Sequence, residues 1–187
     1  MMQAQMKIVD LARDEQLIQQ VAEILKESFH GHCPDYDDIN DALKKVREAL
    51  EDHELNRIAL DEEGRVIGWI GGIRQYNGHV WEIDPLVVRK QTQKSGVGRA
   101  LIADFESIVK DLGADTIWLG TDDEDGRTSL ANRDLYPDVW RHMRDIENYG
   151  KHPYEFYAKM GFVIVGVLPD ANGPGKPDIY MAKKVRS

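Results

Sequence analysis

The sequence predicts an α/β fold, a central mixed sheet with helices on both faces. Three observations carry that expectation. Apolar residues recur at helical spacing in long segments. Short runs rich in β-branched and aromatic residues, bounded by turn signals, lie between those segments. The two kinds of segment follow one another in the order β-α-α-β-β-β-α-β-α-β-β. With 187 residues and no repeat, low-complexity tract or linker, the chain is expected to form one domain over 1–187.

Met6–Ala12 (MKIVDLA) reads as a first strand. After Asp14, the spacing of Leu17, Ile18, Val21, Ile24, Leu25 and Phe29 predicts an amphipathic helix. The polar break HGHCPDYDD follows, and then a second helix with Ile39, Leu43, Val46 and Leu50 on one face. NRIAL and RVIGWIGGIR are strands joined by the hairpin turn DEEG. His79–Arg89 (HVWEIDPLVVR) is a further strand, in which Pro85 cannot donate to a ladder, so a bulge or splayed edge is expected there. Val97, Leu101, Ile102, Phe105, Ile108 and Val109 predict a helix to about Leu112. DTIWLG is a strand, and the long polar stretch behind it holds a helix near Asp138–Asn148. HPYEFYAKM reads as a short helix with Pro153 in its first turn. GFVIVGVL and DIYMAKKV are the last strands, on either side of the turn-rich PDANGPGKP.

Composition narrows the function. A formal charge of −9 argues against a general nucleic-acid binder, and it suits either a cationic partner or simple solubility. Cys33 is the single cysteine, so no intramolecular disulfide can form. The N-terminus lacks the pattern of a signal peptide, and no apolar run approaches the roughly 20 residues of a membrane helix. A cytoplasmic protein without a membrane partner is expected.

Gln93–Ile102 (QKSGVGRALI) is the most informative stretch. Its bland reading is a helix entry, with Ser95 as N-cap and Gly96 easing the turn. Its functional reading is an anion cradle, since a helix N-terminus presents unpaired N–H groups and glycines allow close approach. It is not a P-loop, because GxxxxGK[ST] is absent, nor a dinucleotide fingerprint, because Leu101 stands at the third glycine position. Gln93, Gly96 and Gly98 match the [QR]-x-x-G-x-[GA] segment of the GCN5-related N-acetyltransferases. YEFYAKMGFVIVG, with Tyr157, Gly161 and Phe162, resembles that family's closing helix and strand. On these two segments, in this order, the sequence is identified as a member of that family.

The resemblance implies a mostly antiparallel, twisted sheet with splayed middle strands and acetyl-coenzyme A as co-substrate. The pyrophosphate would rest on the amides of Lys94, Ser95, Gly96, Val97, Gly98 and Arg99. The pantetheine arm would lie between the strand ending at Arg89 and TIWLG. The N–H groups at Leu86, Val87 and Val88 would polarise the acetyl carbonyl, and Tyr157 would protonate the departing thiolate. The rival reading of Tyr157 is a buried aromatic with a satisfied hydroxyl. A homodimer is compatible with the family.

Acetyl transfer to an alkylamine needs a group to take the amine's proton. Glu82 and Asp84 are two apart on a strand and so point to one side. Glu82 is the first candidate base and Asp84 the second, with solvated or substrate-binding acids as the alternative. A covalent route through Cys33 lacks a partner base. HGHC, with His30, His32, Cys33 and Asp35, has no standard zinc spacing, so no metal is expected.

The acceptor side is suggested by an insertion at about 121–150 that opens with Asp122, Asp123, Glu124 and Asp125. CPDYDDIND, between the first helices, is a second acidic segment, and together the two would form an anionic cleft that concentrates a polycation. GTDDE…TSL, HPYEFY and PDANGPGKPDI resemble the bacterial aminoglycoside 6′-N-acetyltransferases. That implies a small cationic acceptor acetylated at its 6′-amine, antibiotic resistance as outcome, and Asp122, Asp123, Glu124 and Asp178 as ammonium contacts. The alternatives are a polyamine, small-amine or peptide N-acetyltransferase, and a non-catalytic acyl-coenzyme A sensor.

Overall fold

The computed structural model describes residues 6–30 and 38–186. The chain divides into two compact units, Met1–Asp115 and Thr116–Ser187. Cys33, His32, Asp35 and most of the acidic segment CPDYDDIND lie outside the described residues.

The first unit contains β1 (Lys7–Asp10), α1 (Glu15–Phe29), α2 (Ile39–Asp52), β2 (Leu55–Leu60), β3 (Val66–Gln75), β4 (Val80–Val88) and α3 (Val97–Asp111). Its strands run antiparallel in the order β1-β2-β3-β4. Asp14 starts α1 by accepting from the N–H groups of Gln16 and Leu17, and Asp38 starts α2 by accepting from Asn40. The apolar stripe of α1 lies on its buried face, whereas in α2 the fully buried residues are Ala42, Val46 and Ala49, with Ile39, Leu43 and Leu50 half-buried beside them. Val21, Ile24 and Leu25 of α1 and Ala42, Val46 and Ala49 of α2 pack on Ile58, Trp69 and Val87 of the sheet.

α3 covers the opposite face. A Cβ at Gly72 would stand 2.4 Å from the Phe105 ring, so glycine lets the helix lie directly on β3. Trp81 of β4 meets Phe105 edge-on, with ring centroids 6.3 Å apart. Burying the Phe105 side chain contributes roughly 1.5–3 kcal/mol.

The irregularity expected at Pro85 is a bulge, and the strand runs on through it. Ile70 opposes Leu86 and Gly72 opposes Ile83, so Asp84 and Pro85 together face the single residue Gly71. The Asp84–Pro85 peptide is cis. A Cβ at Gly71 would lie 2.3 Å from the Asp84 carbonyl oxygen, a separation no side chain tolerates, so the bulge requires glycine opposite it.

The second unit contains β5 (Thr116–Asp122), α4 (Val139–Arg144), α5 (Tyr154–Lys159), β6 (Val163–Leu168) and β7 (Asp178–Lys184). Its strands are antiparallel in the order β5-β7-β6, with Ile117, Leu119, Ile179 and Met181 buried. The polar insertion is anchored by Leu130 and Leu135, both buried. The helix expected over 138–148 is shorter because its downstream backbone pairs elsewhere. Glu147 N–H donates to Ser129 Oγ, the Glu147 carbonyl accepts from Ser129 N–H, and Asn148 bridges to Thr128.

Candidate active site

The glycine stretch forms the turn into α3, with one change from the sequence reading. Gly96, at φ 100°, occupies the cap position rather than Ser95. The Ser95 hydroxyl instead donates to the Thr92 carbonyl at 2.5 Å. No side chain caps the helix, which leaves its first N–H groups to an external acceptor. Nothing lies within 4 Å of a Cβ built at Gly96, so glycine is needed there for its left-handed backbone and not for space. The loop is tied back to the end of β4, with Gln93 Nε2 donating to the Val88 carbonyl at 3.2 Å. Gln93, Lys94, Ser95, Gly96 and Arg99 are exposed, Gly98 is half-buried and Val97 is inside. An uncapped helix start beside two cations fits a diphosphate.

On β4, Arg89 N–H donates to the Ile67 carbonyl of β3. Alternation in an antiparallel ladder therefore turns the amides of Leu86 and Val88 away from β3 and that of Val87 toward it. Two of the three N–H groups named from the sequence thus point away from the β3 ladder.

Glu82 and Asp84 share the face of the sheet that carries α2, whereas Trp81 and Ile83 are buried. Gln75 Nε2 donates to Glu82 Oε2 at 2.6 Å. Lys45 Nζ of α2 lies 2.9 Å from Asp84 Oδ2, and His53 Nε2 lies 3.7 Å from the same oxygen. Burial, reinforced by the charge of Asp84, pushes the Glu82 carboxyl above the ordinary glutamate range. Burial pushes His53 down, which keeps its imidazole neutral. Lys45, His53 and Gln75 are absent from the sequence reading. Lys45 and Asp84 are 39 positions apart, and no periodicity or motif links them.

Tyr157 sits on α5 with edge-on rings of Phe156 and Phe162 at 5.2 and 5.8 Å. Burial raises its hydroxyl far above the usual phenol range, so it is protonated at neutral pH.

The four acids named for the acceptor differ in placement. Asp122 is exposed, stands opposite Asp178 in the β5–β7 ladder, and accepts a hydrogen bond from Asn172. Glu124 is half-buried, 3.6 Å from Lys176. Asp123 has 0% exposure. Its carboxylate accepts from Arg127 N–H at 2.6 Å, Thr128 N–H at 2.8 Å and the Thr128 hydroxyl at 2.7 Å. That pattern folds the start of the insertion. Close by, the buried His152 accepts from Tyr154 N–H at Nδ1, so Nε2 carries the hydrogen and donates to the Asp122 carbonyl at 2.9 Å. One imidazole thereby joins the end of β5 to the start of the helix bearing Tyr157.

Among the described residues, no group of three or more His, Cys, Asp or Glu is placed to hold a metal ion. No helix among them is long and apolar enough to cross a membrane.

Residues 18–136 match the model of the acetyltransferase (GNAT) family, and the chain belongs to that family. It is an acetyl-coenzyme A-dependent N-acetyltransferase with the family's α/β fold. Among solved structures it is similar to an aminoglycoside 6′-N-acetyltransferase complexed with coenzyme A. The identity is 37%, over 97% of this chain and 98% of that one, with a TM-score of 0.88. The aminoglycoside 6′-N-acetyltransferase from Enterococcus faecium gives 37% identity over the same shares and a TM-score of 0.87. An aminoglycoside 6′-acetyltransferase type Ii gives 32% over the same shares, with a TM-score of 0.74. No curated protein matches the chain.

Proposed function

We propose that this acetyltransferase moves an acetyl group from acetyl-coenzyme A directly to the 6′-amine of an aminoglycoside. The observation that carries the reading is the 37% identity, spanning 97% of the chain, to an aminoglycoside 6′-N-acetyltransferase. The acids at the end of β5 support a polycationic acceptor, with Asp122, Glu124 and Asp178 as ammonium contacts. Coverage of 97% of this chain and 98% of that relative supports treating 1–187 as one catalytic domain, in which we place the acceptor-side insertion at 121–150.

In this reading Glu82 takes a proton from the incoming ammonium and leaves a neutral nitrogen. A carboxyl raised toward neutrality suits that task better than an ordinary one. The nitrogen forms a bond to the thioester carbon as the carbon–sulfur bond breaks. The amides of Leu86 and Val88 hold the carbonyl oxygen while it carries charge. Tyr157 donates its hydrogen to the departing sulfur and recovers one from the newly formed, still protonated amide nitrogen. Glu82 releases its proton to solvent, so each turnover yields one amide, one thiol and one proton. Gly96 and the amides after Gln93 hold the diphosphate.

The test is thiol release by purified protein with acetyl-coenzyme A and, in parallel, kanamycin, spermidine and an unblocked peptide. The reading expects the highest kcat/KM with kanamycin and acetylation at the 6′ nitrogen by NMR. Faster turnover of spermidine or the peptide refutes the aminoglycoside acceptor. Coenzyme A binding without turnover of any amine favours the sensor instead.

A further inference from the structure

Two carboxylates on one face of β4, two residues apart, raise the question of which one takes the proton. Left alone, such a pair titrates jointly and either member can act as the base. Here the pair is made unequal by α2. Lys45 Nζ lies 2.9 Å from Asp84 Oδ2, within hydrogen-bond distance, and both side chains are partly withdrawn from water, at 26% and 36% exposure. Their attraction is therefore less screened than that of a surface pair. His53 Nε2 lies 3.7 Å from the same Asp84 oxygen, beyond hydrogen-bond distance, and its Nδ1 has no hydrogen-bond partner among the described residues. Glu82 receives a neutral donor, the Gln75 amide.

The geometry points to Lys45 as a positioning residue that holds Asp84 in an ion pair and so reserves Glu82 for proton transfer. This rests on the acetyl-transfer reading of Glu82 given above. Among the described residues, the groups facing Glu82 are Gln75 from β3, Asp84 from its own strand and Lys45 from α2. Those facing His53 are Asp84, Lys45 and Asp52. Asp84 raises the proton affinity of Glu82 and Lys45 lowers it, so the cation keeps Glu82 ionised at a lower pH than the carboxylate pair alone would allow. It also keeps the Asp84 oxygen engaged while Glu82 works. Lys45 touches no reacting atom. It acts through Asp84 and through its field.

The test uses the full chain with Lys45→Met, Lys45→Arg and Asp84→Asn. Two readouts are taken. One is the pH profile of kcat/KM with kanamycin and acetyl-coenzyme A. The other is the carboxyl carbon-13 titration of Glu82, assigned by its loss in Glu82→Gln. In Lys45→Met the acid limb and the Glu82 midpoint both move to higher pH, and kcat/KM at the acid end falls several-fold. Asp84→Asn moves both the other way, and Lys45→Arg keeps the parent profile. A Lys45→Met protein with both midpoints unmoved, or with an equal loss at every pH, overturns the proposal. Absence of turnover by the parent protein with any amine overturns the acetyl-transfer reading, and this role with it. The carbon-13 titration separates the two failures, because it reads the coupling of Lys45 to Glu82 without catalysis.

Discussion

Asp123→Asn separates a residue that folds the insertion from one that meets the acceptor. The substitution keeps size and removes charge. In the parent protein the carboxylate has no exposed surface and accepts three hydrogen bonds, at 2.6, 2.8 and 2.7 Å. An asparagine oxygen can retain the bond from Arg127 N–H, but its NH2 then points at Thr128 N–H, donor against donor. The Thr128 hydroxyl can turn to accept from that NH2. The loss is then one to two bonds to a charged acceptor, each contributing about 1.5–3 kcal/mol, so about 3 kcal/mol in all. At about 2–4 °C per kcal/mol for a chain of this size, Tm falls by roughly 6–12 °C in a calorimetric or fluorescence melt. The KM for kanamycin rises as well, because Asp122 and the start of α5 depend on the same turn, but that rise is insensitive to salt. An unchanged Tm together with a salt-dependent rise in KM would mean that Asp123 meets the substrate directly, and the loop-folding account would fail.

Other outcomes follow from the same geometry. Gly96→Ala places an L residue at φ 100°, at a cost of roughly 1–2 kcal/mol, and the turn relaxes away from the diphosphate. The Kd for coenzyme A measured by calorimetry rises about tenfold, and an unchanged Kd removes the cradle from this turn. Tyr157→Phe lowers kcat about a hundredfold or more, the lower end of what a positioned proton donor supplies, while coenzyme A affinity stays put; equal kcat in thiol release removes its role as hydrogen donor. Asp122→Asn raises the KM for kanamycin at low ionic strength, and the difference shrinks above roughly 0.15 M salt, where screening acts within about 8 Å. A salt-independent effect there speaks against an ammonium contact.

Local signals made much of this protein legible. The apolar stripes of α1, α2 and α3 are visible because a buried helical face repeats every three to four residues. Most of those residues are buried in the first unit, although in α2 the alanines Ala42 and Ala49 lie deeper than Ile39, Leu43 and Leu50. Gln93, Gly96 and Gly98 announce the turn into α3, since a helix start of this kind is built from consecutive residues. Pro85 announces the bulge, since a missing N–H disturbs a ladder wherever it falls. Ser95 is a good N-cap by type, yet the cap falls one position later, at Gly96, because the left-handed backbone there goes with a loop that ties back to Thr92 and Val88.

What the sequence by itself determined is the family, the order of strands and helices, and the short segments that carry the chemistry, because each is encoded in neighbouring residues. Only the tertiary structure decided how the acids divide their work. Asp122 and Asp123 are adjacent and alike in sequence, yet one is exposed and the other wholly buried under three donors. Glu82 and Asp84 look equivalent on their strand until α2 brings Lys45 to one of them across 39 positions. A carboxylate's function depends on the charges and donors within a few ångströms of it, and those are set by packing between segments distant in the chain.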